Sequence, residues 1–224
     1  MSLRAVAAGT AVLMCGLLPP SATAAVLVVG DSLGVGTEPS LRAALPDVDI
    51  QADSLNGRTS TEGVAVLGGL LEPEHDTVVF DLGTNDGNTA VGVTAGSLTA
   101  ARELTGERCL VVATLHRPPL AGIPIDAQND MIRGFAATTP NVALVDWHDA
   151  ASATPGALRP DGVHATPAGY ALRGSLFAEA IRGGCLGGGG GGAPAGPATG
   201  GSSASTTGRP APRRTAPRRG GPPP

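Results

Sequence analysis

Two short segments, far apart in a chain of 224 residues, hold the residue types that nucleophilic chemistry requires. Gly30-Asp31-Ser32-Leu33-Gly34 sets a serine among glycines, and Asp161-Gly162-Val163-His164 sets a carboxylate and an imidazole three residues apart in a turn. A serine hydroxyl is a weak nucleophile at neutral pH. It needs a base to take its proton, and the base needs a partner that fixes its tautomer and stabilises its charged form. Ser32, His164 and Asp161 fill those three roles. A rival base, His148, lies in Asp146-Trp147-His148-Asp149 after another apolar run, while His75 and His116 read as loop histidines.

Attack on a carbonyl also needs donors aimed at the oxyanion that develops. Gly83-Thr84-Asn85-Asp86 offers the Asn85 side-chain amide, Asn56-Gly57-Arg58 offers the Gly57 N–H, and the Ser32 N–H is a third. Taken singly, Asn85 reads as a turn or cap, Gly57 as a residue of positive φ, and Asp161-Gly162 as a simple turn. Their joint occurrence favours a site. Asp31 and Asp86 read as carboxylates that bond backbone and shape their own turns.

Such scattered residues can meet only if the fold gathers them. Short Val- and Leu-rich runs alternate with stretches of helical period, the pattern of a parallel sheet covered on both faces. Strands are expected at Val26–Val29, Val48–Ala52, Thr77–Leu82, Cys109–Leu115 and Val142–Val145. Helices are expected at Pro39–Leu45, Ser60–Leu71, Val93–Leu104, Ala127–Ala137 and Pro167–Arg182. Thr59 with Glu62 makes a capping box, and Thr166 before Pro167 makes an N-cap. Right-handed crossovers then give one three-layer α/β/α sandwich on a five-stranded parallel sheet. Ligands bind such sheets beyond the carboxyl ends of the strands, where all four segments fall.

In this order and on these loops, the segments resemble the conserved blocks of the SGNH (GDSL-type) serine hydrolase family, whose letters match Ser32, Gly57, Asn85 and His164. Asp161 stands in the family's Asp-x-x-His position, and the similarity spans residues 26–182. The resemblance implies a flavodoxin-like fold and a serine esterase working through an acyl-enzyme. It also implies His164, not His148, as the base, since His148 lacks the spacing to a final helix. Thr77–Asp86, Asn141–Trp147 and Asp161–Gly169 are more narrowly similar to the extracellular catalytic domain of peptidoglycan O-acetyltransferases. That similarity implies an alternative, acyl transfer to cell-wall sugars. Nothing in the chain resembles the multi-spanning membrane module such transferases carry, which favours hydrolysis or an external acyl donor.

The ends differ from the middle. Arg4, an apolar stretch to Leu18, Pro19-Pro20 and the small residues Ala22 and Ala24 read as a secretory signal peptide over residues 1–24, too short to span a bilayer. Met14 before Cys15 argues against a lipoprotein site. Residues 187–224 are Gly-, Pro- and Arg-rich and read as a disordered tail, with five arginines and no acid. The domain between, residues 25–186, holds nine arginines against nineteen acidic residues, and the chain has no lysine. The basic tail reads first as a solvated, linker-like extension, and its charge also suits contact with anionic cell-wall polymers or nucleic acid. It leaves a third reading, a non-catalytic wall-binding protein.

An exported domain with two cysteines is compatible with one disulfide, Cys109 to Cys185, placed at the same end of the sheet by the expected layout. No His-Glu-x-x-His or Cys-x-x-Cys spacing occurs, and Gly34-x-Gly36 lacks a third glycine, so neither metal nor cofactor is expected. Five aromatic residues, Phe80, Phe135, Trp147, Tyr170 and Phe177, leave no extended platform for polysaccharide. Small or mid-sized acyl esters are the expected substrates. A secreted monomer with no specific nucleic-acid partner and no membrane attachment after signal cleavage completes the expectation.

Overall fold

The computed structural model describes residues 24–87, 90–119 and 125–186; the expected signal peptide, apart from Ala24, and the expected tail lie outside the described residues. Five strands alternate with helices: β1 (Ala25–Gly30), α1 (Ser32–Ala44), β2 (Asp49–Ser54), α2 (Ser60–Leu70), β3 (His75–Asp81), α3 (Ala90–Thr105), β4 (Cys109–Ala113), α4 (Asp126–Thr138), β5 (Val142–Val145), α5 (Trp147–Ala153) and α6 (Pro167–Ala180). A π-helical segment, Ile181–Leu186, follows. All strand pairs are parallel, in the order β2-β1-β3-β4-β5. The chain thus has the expected α/β class and five-stranded parallel sheet.

Alternation along β1 explains the layering. Val26 and Val28 pack with Leu41, Leu45 and Phe177 of α1 and its neighbours, while Leu27 and Val29 pack with Leu67 and Leu98 of α2 and α3 on the other face. Every residue of β1 is buried. Because β1 lies between β2 and β3, the chain leaves it for opposite directions, and a crevice opens at the carboxyl ends of β1 and β3. Ser32 follows β1, and Asn85 follows β3.

Two differences from the sequence expectation bear on the site. The first helix begins at Ser32, not Pro39: Asp31 caps it by accepting from the Leu33 N–H at 2.8 Å, and the helix continues through Gly34, Gly36 and Pro39. The glycines that read as loop residues serve packing instead. A Cβ on Gly36 would overlap the Tyr170 ring of α6, and one on Gly174 would overlap Ser40 of α1. The pairs 36 with 170 and 40 with 174 run in one direction, so α1 and α6 lie side by side with their N-termini together. Extending that register one turn further brings Ser32 beside the residues just before α6, where His164 lies. The second difference is α5, a short helix after β5 capped by Asp146.

Minor boundaries also moved. β3 starts at His75, which is buried in the sheet and not in a loop, and β4 ends at Ala113, short of Leu115. Both expected caps are present, the Thr59–Glu62 capping box on α2 and Thr166 with Pro167 on α6. Cys109 and Cys185 are joined by a disulfide, tying the start of β4 to the segment after α6.

Candidate functional site

Ser32 is the first residue of α1, so its hydroxyl stands at a helix N-terminus where backbone N–H groups are unpaired. His164 Nε2 lies 3.1 Å from Ser32 Oγ, and His164 Nδ1 lies 2.9 Å from Asp161 Oδ2. Asp161 Oδ1 accepts from the backbone N–H groups of Val163 and His164, both at 2.9 Å. The carboxylate therefore builds the turn and orients the ring together. Those bonds, the Val163 N–H first and the His164 ring next, hold its pKa down at about 2. An ionised Asp161 at Nδ1 fixes the proton there and leaves the Nε2 lone pair facing the serine.

The turn itself needs Gly162, whose φ of +67° few side-chain-bearing residues adopt. Residues 154–166 are bonded mostly to themselves. Arg159 N–H donates to His164 O, Gly162 N–H to Arg159 O, Thr166 N–H to Ala157 O, and Leu158 pairs with Ala165.

The Ser32 side is built differently. Asp31 is 1% exposed, and its Oδ2 accepts from the Asn85 amide at 3.3 Å. Burial first, and then the neighbouring Asp81 carboxylate, pushes its pKa up to about 7. Asp81, at the end of β3, forms a two-bond pair with Arg173 of α6 at 2.6 and 2.7 Å, both side chains buried. Arg173 also donates to Thr37 of α1 and stacks against Trp147 and Phe177.

Of the expected oxyanion donors, Asn85 donates to Arg58 O at 3.1 Å as well as to Asp31, which brings the loops after β1, β2 and β3 together. Gly57 precedes Arg58 with φ +80° and is exposed, and nothing stands where its Cβ would be. Arg58 in turn donates to Gly30 O, two residues before Ser32. Asp86 shapes its loop as expected, accepting from Ser60 N–H, Ser60 Oγ and Thr94 Oγ1. Ser32, Asp161 and His164 thus form one hydrogen-bonded chain, with Asn85 on the residue next to Ser32 and Gly57 one residue from Arg58.

His148 is engaged elsewhere. Its Nδ1 donates to Leu115 O at 3.1 Å, and its ring stacks on His116 with centroids 5.1 Å apart. His116, read from sequence as a loop histidine, has Nδ1 3.0 Å from Gly162 O. Its contact depends on two loops remote in sequence, so no local pattern announced it. Among the described residues no group of three or more His, Cys, Asp or Glu is arranged to hold a metal, and no helix is long and apolar enough to cross a membrane.

The fold is that of solved SGNH (GDSL-type) hydrolases. The lipase/acylhydrolase from Enterococcus faecalis superposes with a TM-score of 0.62 at 22% identity, over 72% of this chain and 96% of that one. A GDSL-like lipase from Bacteroides thetaiotaomicron superposes with a TM-score of 0.59 at 19% identity, over 70% and 87%. More narrowly, the chain is similar to peptidoglycan O-acetyltransferase OatA. The Streptococcus pneumoniae OatA C-terminal catalytic domain with a methylsulfonyl adduct superposes with a TM-score of 0.60 at 20% identity, over 72% and 93%. Listeria monocytogenes OatA is 29% identical over 147 residues, 64% of this chain and 22% of that protein. The chain thus matches only about a fifth of that relative's length. No protein-family model matches the chain.

Proposed function

We propose that this protein is a serine esterase that hydrolyses small or mid-sized acyl esters. The observation that carries the reading is the unbroken relay from Asp161 through His164 to Ser32, with contacts of 2.9 and 3.1 Å. Ser32 Oγ bonds to the ester carbonyl carbon as its proton passes to His164 Nε2, and the carbonyl electron pair moves onto oxygen. Ser32 N–H, Gly57 N–H and the Asn85 amide stabilise that oxyanion, for which Asn85 exchanges its longer bond to Asp31. Collapse expels the alcohol, which leaves with the proton from His164. Water, deprotonated by the same nitrogen, then cleaves the acyl-enzyme and restores Ser32. Ser32→Ala should lower kcat on 4-nitrophenyl acetate by about 10⁴-fold or more. Full activity in that variant rejects the assignment.

Similarity to OatA supports a second reading, in which a sugar hydroxyl replaces water as acyl acceptor. Chitooligosaccharide added to the reaction distinguishes the two: an acylated sugar supports transfer, and free acid alone supports hydrolysis. Residues 1–24 are proposed to direct export and residues 187–224 to contact anionic wall polymers. Sequencing the N-terminus of protein recovered from the medium tests the first, with Ala25 expected. Wall sedimentation with and without residues 187–224 tests the second. Wall binding without any ester turnover would favour a purely binding role.

A further inference from the structure

The segment that carries Asp161 and His164 has few ties to the sheet. Among the described residues, every hydrogen bond made by residues 154–166 stays within that segment or reaches the adjoining ends of α5 and α6, with two exceptions. One is the His164 to Ser32 contact itself, 3.1 Å. The other is His116 Nδ1 to Gly162 O, 3.0 Å. Because a carbonyl only accepts, His116 must hold its proton on Nδ1 and donate it.

His116 is itself well placed to act as a brace. The residue before it, Leu115, is buried, and its N–H and C=O are both bonded by the buried Asn129 side chain of α4 at 2.8 and 2.9 Å. The His116 ring stacks on His148, whose Nδ1 donates to Leu115 O and whose N–H donates to Thr114 Oγ1, at 3.1 and 2.9 Å. Pro118 stands 3.2 Å from where a Cβ of Gly162 would lie, so the same loop also abuts the turn sterically. Both ends of the contact are thus constrained, one by the sheet and α4, the other by the Asx turn of Asp161.

We infer that His116 is a positioning residue: by donating to Gly162 O it sets the distance between the His164 ring and Ser32, and His148 holds it in that pose by stacking. This rests on the esterase reading of the same site. His116 touches neither substrate nor reacting atoms. Its loss lets the turn drift from the sheet, and displacement of a catalytic group by about 1 Å can cost roughly 100-fold in rate.

The test compares His116→Asn, whose amide places an N–H donor where Nδ1 stands, with His116→Leu, which keeps bulk and loses the donor. For His116→Leu, kcat on 4-nitrophenyl acetate should fall about 10- to 100-fold with KM little changed. His116→Asn should stay within about threefold of the unaltered chain. Melting temperatures of both variants separate misfolding from misplacement. The His164 Nε2 nitrogen, whose chemical shift senses the contact with Ser32 Oγ, gives an NMR readout that does not depend on turnover. In His116→Leu it should move to the position it takes in Ser32→Ala, and in His116→Asn it should stay in place. An unchanged kcat and an unchanged Nε2 signal in His116→Leu overturn the inference, as does equal loss in both variants at unchanged melting temperature. Failure of the esterase reading shows separately, as full activity in Ser32→Ala.

Discussion

The two halves of the proposed triad are held by opposite means. Ser32 rises from a buried strand end, above the buried Asp31 carboxyl and the buried ion pair of Asp81 with Arg173. Asp161 and His164 sit in a half-open turn, 48% and 38% exposed at their side chains, shaped by short-range bonds. Precision on the first side comes from packing and desolvated charge, and on the second from an Asx turn and a long-range tie through His116. The nucleophile side is therefore coupled to the stability of the whole domain. The Asp161–His164 side, tied to the sheet at few points, is expected to change without disturbing it.

That contrast can be broken by mutation. Asp161→Asn keeps an oxygen to accept the Val163 and His164 N–H groups but loses the charge that sets the tautomer. It should cut kcat by about 10⁴-fold and leave the melting temperature at pH 7 nearly unchanged. A large drop in melting temperature would show the turn to be structural as well. Arg173→Met leaves the Asp81 carboxylate buried and unpaired, and should cost about 3–5 kcal/mol in urea unfolding. The double variant Arg173→Met, Asp81→Leu should recover most of that loss, because it buries no orphan charge. No recovery would mean that shape, not charge, is what Arg173 supplies.

A smaller effect is expected in the pH dependence of folding. The Asp31 carboxyl keeps its proton to about 7 in the folded chain, against 3.8 for the unperturbed group. Folding therefore takes up a proton between those values, and stability should fall as pH rises through that window. Asp31→Asn should flatten the fall in melting temperature across it. Asp161 has the opposite sign: its contribution is present above 3.8 and lost as pH drops toward about 2. An unchanged slope between pH 4 and 7 in Asp31→Asn would remove Asp31 as its cause.

The buried framework was legible in the sequence because parallel strands covered on both faces are continuous apolar runs, as Val26–Val29 and Val78–Phe80 are. The short motifs around Ser32, Asn85 and Asp161 were legible because turns and caps demand particular residue types. The start of α1 was not. Gly34, Gly36 and Pro39 each argue against a helix locally, and only close packing of Gly34 on Ser54 and of Gly36 on Tyr170, both in neighbouring elements, overrides them. Arg173 reads as an ordinary helix-surface cation until its partner on β3, 92 residues away, is placed beside it. His116 is the same case at smaller scale, since its meaning lies in a carbonyl 46 residues further on.

The Cys109–Cys185 bond has a consequence for orientation. It clasps the chain's last described turn to the amino-terminal edge of β4, and β1 begins at that same edge. The two described ends, Ala24 and Leu186, therefore lie at the floor of the sheet, while Ser32 and His164 occupy its roof. A surface that gripped this floor would hold the domain from behind, with the proposed site turned outward.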